Sequence, residues 1–407
     1  MIEKYTSKNG VRIVLENIPT VRSVTIGIWV LTGSRNENKR NNGISHFIEH
    51  LLFKGTKNRS AQEIAEAFDA IGGQINAFTS KEYTCFYAKV LDTHKEKALD
   101  ILADMFFNSN FDEDEMTREK KVVIEEIKMY EDTPDDIVQD LLAKASFGDH
   151  PLGYPILGTE DNLNRFSRDE IIHYIEEQYH PENVVISVAG NCDSDFIERI
   201  DDYFGTYETK TKQTQRSNPV FLSDTITKNK DIEQAHLCLG FKGLAVDDPN
   251  IYSLLVMNNV LGGSMSSRLF QEVREKKGLA YSVFSYHSSF LDSGMLTIYA
   301  GTGKEQLHVL QETINQTIEK LVEDGLTDKE LQNSKEHLKG NLMLGLEGTG
   351  SRMSRNGRNE LLLKRHRSLD EIIREIDAVD HDSVNKVIRT LFESSPAVAV
   401  IAPSAQE

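Results

Sequence analysis

The stretch AFTSKEYTCFYAKVLDTHKEKALDILADMFF (residues 77–107) decides the fold, because a related pattern returns in the second half of the chain. Two strand-like runs are followed by a helical run, and the same order is found in VFSYHSSFLDSGMLTIYAGTGKEQLHVLQETINQTI (283–318). A second pair of segments, FDEDEMTREKKVVIEEI (111–127) and LTDKELQNSKEHLKGNL (326–342), repeats with a similar offset. Self-similarity of this kind indicates an internal duplication, with about 200 residues in each copy.

The order of the predicted elements favours an α+β fold. Strand runs and helix runs alternate in blocks rather than one by one, which is typical of largely antiparallel sheets covered by helices. A chain of 407 residues also exceeds the ~250–300 residues at which single cores stop growing. We therefore predict two homologous α/β domains, residues 1–205 and 232–407, joined by a polar linker at 206–231. The opening strands, up to SVTIGIWVLTG (23–33), are expected to form a meander.

The composition is typical of a soluble globular protein and argues against several classes of partner. A net charge of −18 disfavours nucleic acid and anionic membranes as partners. It suits a basic peptide, although acidity also serves solubility alone. The apolar runs are shorter than the ~20 residues of a membrane helix, and the N-terminus does not resemble a signal peptide. Because the three cysteines suggest no disulfide framework, a cytoplasmic location is expected.

The segment GISHFIEHLLFKGT (43–56) places His46, Glu49 and His50 within five residues. The order HxxEH reverses the familiar HExxH zinc helix. Residues i, i+3 and i+4 share one face of a helix in either order. The three side chains are therefore expected on the face opposite an apolar stripe formed by Ile44, Phe47, Ile48, Leu51 and Leu52.

This face can carry metal chemistry. Two imidazoles at i and i+4 can bind one tetrahedral zinc ion, and a neighbouring carboxylate such as Glu49 can accept a proton from water. The alternative is an ordinary amphipathic helix whose histidines pair with Glu49 on a solvated surface. At the corresponding place the second copy reads SLLVMNNVLGG (253–263), without histidine or glutamate, so one copy is expected to carry the chemistry.

A catalytic zinc site typically takes three protein ligands, and the helix predicted over residues 113–131 offers several carboxylates as candidates for the third. Glu119 and Glu126 share one face with Val122, Val123 and Tyr130, whereas Glu125 belongs to a charged stripe with Arg118, Lys121 and Lys128. The pattern therefore favours Glu126 over Glu125 as the inward-pointing carboxylate. Glu119, two turns earlier, suits a role in orienting a ligand.

The combination of His46-x-x-Glu49-His50 with Glu126 in EKKVVIEEI (119–127) resembles the inverted-zincin peptidases of the pitrilysin/insulinase family, and among them the mitochondrial-processing-peptidase-like branch. The resemblance covers nearly the whole chain and includes the duplication. It implies one zinc ion (Zn2+) per chain on His46, His50 and Glu126, Glu49 as the general base, and Glu119 as a further catalytic glutamate. Two other segments also look like family segments: FGDHPLGYPILGT (147–159) and YHPENVVISVAGN (179–191).

The same resemblance implies two sets of substrate contacts. INAFTSKEYTCF (75–86) is similar to the edge strand on which a peptide lies extended, with Asn76, Ala77 and Phe78 at the matching positions. A sheet edge binds a peptide by adding a strand, largely independently of sequence. REKKGLAY (274–281) is similar to the segment whose Arg and Tyr contact substrate near the scissile bond, here Arg274 and Tyr281. Taken without the resemblance, an arginine in a charged run is usually solvated and a tyrosine at a strand start usually packs.

These observations lead us to expect a zinc metalloendopeptidase that hydrolyses peptides or unfolded segments in an enclosed cleft, with zinc-bound water as the nucleophile. We expect a homodimer in which Arg274 and Tyr281 of one subunit complete the site of the other, although an obligate partner subunit is an alternative. The rival functions are a non-catalytic scaffold or chaperone-like subunit and a metal-dependent hydrolase of non-peptide substrates. The intact set of four motif residues weighs against the scaffold.

Overall fold

A computed structural model describes residues 2–209 and 217–404 of the chain, so the middle of the predicted linker, 210–216, lies outside the described residues. The strands are β1 (Ile2–Thr6), β2 (Arg12–Asn17), β3 (Ser23–Val30), β4 (Gln74–Thr79), β5 (Thr84–Leu91), β6 (Val184–Gly190), β7 (Thr225–Lys230), β8 (Gln234–Lys242), β9 (Ala280–Ser289), β10 (Gly294–Gly303) and β11 (Ala397–Pro403).

The α-helices are α1 (Ile44–Leu51), α2 (Ala61–Asp69), α3 (Lys95–Asn108), α4 (Glu113–Glu131), α5 (Pro134–Phe147), α6 (Glu160–Arg165), α7 (Arg168–Gln178), α8 (Asp195–Phe204), α9 (Ile251–Leu261), α10 (Leu307–Asp324), α11 (Asp328–Gly345), α12 (Thr349–Leu363), α13 (Leu369–Asp377) and α14 (His381–Phe392). Within the described ranges, no helix combines the length and the apolar character that crossing a membrane requires.

The first sheet has the strand order β1-β2-β6-β3-β5-β4. Its pairs are antiparallel except β2 with β6, which run parallel. The expected meander is wrong in one respect, because β6 inserts between β2 and β3. Only a strand from far along the chain can fill that position, so the local pattern of the first 33 residues could not indicate it. Strand β4 lies at the edge of the sheet.

The second sheet has the order β7-β11-β8-β10-β9, with β11 and β7 parallel and the other pairs antiparallel. This is the order of the first sheet from β2 to β4, with the parallel pair in the matching place. The predicted α+β fold with an internal duplication is therefore confirmed.

Contacts group the chain into two compact units, each built from three segments. The first comprises Met1–Lys128, Tyr154–Arg216 and Gly345–His366; the second comprises Met129–Gly153, Ser217–Leu344 and Arg367–Glu407. The first unit thus contains α12 from the end of the chain, and the second contains α5 from its first half. The boundaries predicted along the sequence, at 205 and 232, stay a prediction.

In the first unit, one face of the sheet is covered by α1, α3, α7 and α8 around Ile26, Ile28 and Phe47. The other face is covered by α12, where Met353 packs against Trp29. The helix comes very close to the sheet because two glycines lie at the crossing. A Cβ on Gly27 would collide with Met353, and a Cβ on Gly357 would collide with the Trp29 indole.

The second unit repeats this construction. Helices α9, α10 and α14 cover one face of its sheet, and α5 covers the other, where Val138 and Leu142 pack with Cys238 and Ile401. Gly240 of β8 lies beneath α5, since a Cβ there would be 3.1 Å from Leu142 Cδ1. In each unit, therefore, a strand glycine lies beneath the covering helix.

Candidate metal centre

Helix α1 is preceded by Gly43, and the backbone conformation at that position requires a glycine. Gly43 has a φ of 97°, in the region that only glycine adopts readily. A Cβ on Gly43 would lie 2.8 Å from the Cα of Gly158. Gly158 lies in FGDHPLGYPILGT (147–159), one of the two supporting family-like segments, and this close approach places the start of α1 against that segment.

A buried carboxylate from outside the helix caps α1. Glu37, 3% exposed, accepts hydrogen bonds from the backbone N–H of Gly43 (2.8 Å) and Ser45 (2.9 Å) and from Nδ2 of Asn42 (2.9 Å). Burial raises the pKa of Glu37, and the hydrogen bonds offset that effect only in part. A helix start leaves its first N–H groups unpaired, so Glu37 anchors the turn that carries His46.

The two faces of α1 are as the sequence predicts. The five residues of the apolar stripe are buried in the core of the first unit. His46, Glu49 and His50 lie on the other face, where His46 is only 7% exposed. This face is therefore partly enclosed by protein, which contradicts the alternative of a freely solvated pair of histidines.

The structure brings His46, His50 and Glu126 together. Oε2 of Glu126 lies 3.4 Å from Nε2 of His50 and 3.8 Å from Nε2 of His46. One potential ligand atom from each of the three residues lies within 4.8 Å of the others. In helix α4, the neighbouring Glu125 instead pairs with Lys128 (2.7 Å) on the exposed side. The structure thus places Glu126 beside the histidines and Glu125 beside Lys128.

Glu119 orients His50 through the other ring nitrogen. Its Oε1 lies 2.8 Å from Nδ1 of His50, and its Oε2 accepts a hydrogen bond from Nζ of Lys54 at 2.6 Å. Glu119 is buried at 4% exposure. With Nδ1 engaged by the carboxylate, Nε2 of His50 is left to face Glu126. A carboxylate behind a metal-binding histidine typically fixes its tautomer and ring orientation.

The pKa values of the two histidines are shifted in opposite directions. Burial and the charge of His50 lower the pKa of His46 to about 4, which favours its neutral ring. Burial also acts to lower the pKa of His50, but hydrogen bonds to Glu119 and Glu126 outweigh it and raise that pKa to about 9. The carboxylates therefore stabilise positive charge at His50, and a divalent cation can take the place of the proton.

Glu49 is not one of the three converging residues, and a residue of strand β4 binds its carboxylate. Its Oε2 accepts a hydrogen bond from Oγ1 of Thr79 at 2.5 Å. Burial raises the pKa of Glu49, while the Thr79 hydrogen bond opposes the rise. A carboxyl group with a raised pKa beside a metal-binding cluster is suited to accept a proton near neutral pH.

These residues fit a zinc ion. Two imidazoles and one carboxylate are a donor set found in catalytic zinc sites, which keep the fourth position open. Ligands about 2.0–2.1 Å from a tetrahedral ion lie about 3.3 Å apart, close to the spacings between Glu126 and the histidines. Nε2 of His46 faces Glu126, and the other ring nitrogen, the buried Nδ1, has no hydrogen-bond partner within the described chain. Within the described ranges, His46, His50 and Glu126 form the one group of potential metal ligands of this kind, and all three belong to the first unit.

The residues expected to bind substrate fall into two groups. Asn76, Ala77 and Phe78 lie on the edge strand β4, where Asn76 is exposed and the Phe78 ring packs edge-on against Trp29 at 5.6 Å. The strand ends at Thr79, which bonds Glu49. The edge of the sheet and the metal-binding cluster are therefore neighbours within the first unit.

Arg274 and Tyr281 belong to the second unit, where the structure brings them together. The Arg274 guanidinium lies 4.7 Å from the centroid of the Tyr281 ring and equally far from that of Phe270. Tyr281 is 80% exposed. An exposed tyrosine stacked on an arginine is neither solvated alone nor packed in a core, and it is available to contact another molecule.

No role was predicted from the sequence for Glu37, Lys54 or Thr79. Lys54 follows His50 by four residues, just beyond the end of α1, so its short distance along the chain from His50 was a usable signal for a contact near the site. Thr79 directly follows the three residues of the expected edge strand. Glu37 carried no signal, because its role depends on a loop that folds back onto the start of α1.

Comparison with known proteins finds family and relative matches that cover most of the chain. The family described as "Insulinase (Peptidase family M16)" matches residues 12–160, and the "Peptidase M16 inactive domain" matches residues 165–338. The chain is 63% identical over 404 residues to the "Uncharacterized zinc protease YmxG" of Bacillus subtilis, covering 99% of each chain. It is 42% identical over 413 residues to the "Uncharacterized zinc protease SCO5738" of Streptomyces coelicolor, covering 99% of this chain and 90% of the relative.

Solved structures share the fold. A protease from Helicobacter pylori superposes with a TM-score of 0.91 at 24% identity, covering 99% of both chains. A Pseudomonas fluorescens structure described as a peptidase M16 inactive domain also gives 0.91, at 19% identity, covering 100% of this chain and 99% of the other.

Proposed function

This chain belongs to the insulinase family, peptidase family M16, which implies zinc-dependent peptide hydrolysis, and from that premise we propose that it is a processing-peptidase-like zinc endopeptidase. Its substrates are peptides or extended, unfolded segments of polypeptide. The observation that carries this proposal is the convergence of His46, His50 and Glu126 on the helix face that also bears the half-buried Glu49.

In this proposal, His46, His50 and Glu126 hold one zinc ion per chain, and Glu119 with Lys54 keeps His50 in its ligating orientation. When bound, zinc supplies Lewis acidity, which lowers the pKa of water toward about 7 and polarises a carbonyl group. Glu49 accepts the proton of the attacking water on its carboxylate and then returns it to the leaving amine. Partial burial raises the pKa of Glu49, which favours the first of these two steps.

The substrate lies along β4 as an added strand. The edge of a sheet offers unpaired backbone N–H and C=O groups, which bind an extended peptide with little regard to its sequence. Support comes from the edge position of β4 and from the contact between its last residue, Thr79, and Glu49. The net charge of −18 favours basic peptides among these substrates.

We further propose a homodimer in which Arg274 and Tyr281 of one subunit contact substrate at the other subunit's site. The exposure of the Tyr281 ring and its stacking on Arg274 support a role in contacting another molecule. A cytoplasmic location is part of the proposal, and it is supported by three cysteines that are all free and buried.

Two rivals make different predictions. A non-catalytic scaffold needs no bound metal, so elemental analysis that finds no zinc in the purified protein would favour it. A hydrolase of non-peptide substrates would not be inhibited by extended peptides, whereas the proposed endopeptidase would be.

The deciding experiment is Glu49→Gln. The amide keeps the shape of the side chain but cannot accept a proton, so we expect peptide cleavage to fall by at least about 1,000-fold while the zinc content stays at that of the parent. Cleavage of a peptide mixture, with and without a chelator, measures the activity, and elemental analysis measures zinc. A Glu49→Gln protein that cleaves at the parent rate would exclude the assignment.

A further inference from the structure

The carboxylate of Glu49 has one hydrogen-bond donor within the described residues, the hydroxyl of Thr79. The donor and acceptor oxygens are 2.5 Å apart, which is at the short end for a hydroxyl and a carboxylate. The bond engages Oε2 and leaves Oε1 to receive a proton. The only carboxylate proposed as a base is thus fixed in place by a single hydroxyl.

The other contacts of Thr79 show where its proton points. Its Oγ1 also lies 3.4 Å from Oγ1 of Thr84, its cross-strand neighbour. Thr84 donates its own proton to the backbone carbonyl of Thr32 at 2.9 Å. A carboxylate is a stronger acceptor than a hydroxyl, and it is also the nearer one, so the Thr79 proton is directed to Glu49.

The hydrogen bond between Thr79 and Glu49 joins two elements of the proposed site. Thr79 is the last residue of β4, the edge strand, and Glu49 belongs to α1, which carries both histidines. The hydrogen bond therefore ties the strand on which a peptide would lie to the helix that bears the base. The hydrogen bonds of Thr79 within the described structure go to Glu49 and Thr84 and not to His46, His50 or Glu126, so the contact does not itself involve a proposed ligand.

We propose that Thr79 is a positioning residue, which sets the carboxylate of Glu49 against the edge strand so that Oε1 meets the attacking water. This inference rests on the proposed endopeptidase function and adds the group that aligns its base. In this inference the hydroxyl of Thr79, rather than the shape of its side chain, links the register of the bound peptide to proton transfer at Glu49.

The inference predicts a particular kinetic pattern. A peptide held by the backbone of β4 binds equally well whether or not Glu49 is aligned, so KM should change little. A misaligned base slows the chemical step, and small displacements of reacting groups cost about 100-fold. Loss of a hydrogen bond to a charged group costs about 10-fold or more. We therefore expect a selective fall in kcat.

The test uses Thr79→Val, which is nearly isosteric but lacks the hydroxyl, and Thr79→Ser, which keeps it. Thr25→Val is the matched control: it also removes a buried hydroxyl of the first unit, the one that bonds Thr349 at 2.9 Å on the opposite face of the sheet. For each zinc-loaded variant we would measure kcat, KM, the melting temperature, zinc affinity by chelator competition, and the Kd of a peptide that is not cleaved.

The expected result for Thr79→Val is a kcat about 10- to 100-fold lower than that of the parent, with KM, zinc affinity and peptide Kd within about twofold of the parent values. Thr79→Ser should restore most of the kcat. Thr25→Val should retain the parent kcat. If Thr79→Val does not melt cooperatively, Thr79→Ala takes its place, with the same expectation.

Three outcomes would overturn the inference: a parent-like kcat in Thr79→Val, equal losses in the valine and serine variants, or an equal loss in Thr25→Val. Glu49→Gln measured beside them separates the two proposals. If it is inactive while Thr79→Val is parent-like, only the role of Thr79 is wrong. If it is active, the proposed function itself is wrong.

Discussion

Three glutamates surround the histidines of α1, and their surroundings give them different properties. Burial acts to raise the pKa of Glu119, but hydrogen bonds with His50 and Lys54 more than offset it and keep the carboxylate ionised. The contact with His50 lowers the pKa of Glu126. Burial raises the pKa of Glu49. A lowered pKa suits an ionised ligand or orienting group and a raised one suits a base, which supports the roles proposed for each.

At the same scale, Glu126 and Glu125 provide a matched pair of substitutions. Glu126→Gln replaces an anionic ligand by a neutral amide, so we expect zinc affinity to fall by at least about 100-fold, the upper end of what outer-shell changes cost. Glu125→Gln removes only the exposed contact with Lys128 and should leave zinc affinity unchanged, because exposed pairs contribute little. Chelator competition on both proteins measures the difference. Equal losses would show that Glu126 is not a ligand.

Among the elements, helix periodicity predicts well which side chains share a face where one face of the helix meets the core. It selects Glu126 over Glu125 because positions seven apart on α4, such as Glu119 and Glu126, share one face. It is less reliable at the margin of that face: Val122 was expected among the inward residues but is 52% exposed. An apolar residue at the edge of a stripe is buried only if a neighbouring element extends over it, and periodicity does not contain that information.

The sequence could not predict the contacts that join distant segments. The capping of α1 by Glu37, the bond from Thr79 to Glu49, and the packing of α12 on the first sheet all depend on the tertiary fold. The duplication itself was readable because repeated patterns of strands and helices are local. The exchange of α5 and α12 between the sequence halves was not, because either sheet offers an apolar face that such a helix could cover.

The packing of α12 on the first sheet can be tested with two glycines of the same helix. A Cβ on Gly357 would collide with the indole of Trp29, whereas one on Gly350 meets nothing within 4 Å. Overpacking typically costs 1–3 kcal/mol, so Gly357→Ala should lower Tm by about 2–10 °C. Gly350→Ala should keep or slightly raise Tm, because alanine favours the helix.

Trp29 is the only tryptophan of the chain, so its fluorescence reports this contact directly. Thermal unfolding followed by tryptophan emission and by circular dichroism measures both variants. The same Tm in Gly357→Ala and Gly350→Ala would mean that α12 does not pack on Trp29 in solution.

At the scale of the whole molecule, the two copies share their construction but present different side chains. Both units keep the same order of strands, one parallel pair and a glycine beneath the covering helix. The metal-binding cluster lies in the first unit, and the second presents the stacked pair Arg274 and Tyr281 instead. A copy that needs no ligands is free to change at those positions, provided that its core residues are kept.

The proposed homodimer predicts complementation between two impaired proteins. Glu49→Gln lacks the base and Tyr281→Phe lacks the phenolic hydroxyl, so each alone should cleave peptides poorly. If the two residues act in trans, a mixed dimer has one site with both groups intact. With free exchange in a symmetric dimer, half of the dimers are mixed and one of their two sites is complete, so about a quarter of the parent activity should return.

The measurement is peptide cleavage by the mixture over time, with differently tagged subunits to show that exchange has occurred. Tyr281→Phe mixed with unmodified protein serves as the control for dilution. Exchange without recovery would place Tyr281 in the same subunit as the base it serves, or outside the site altogether. Sedimentation of the parent separates these readings from a third: a fully active monomer would remove the homodimer while leaving the zinc endopeptidase intact.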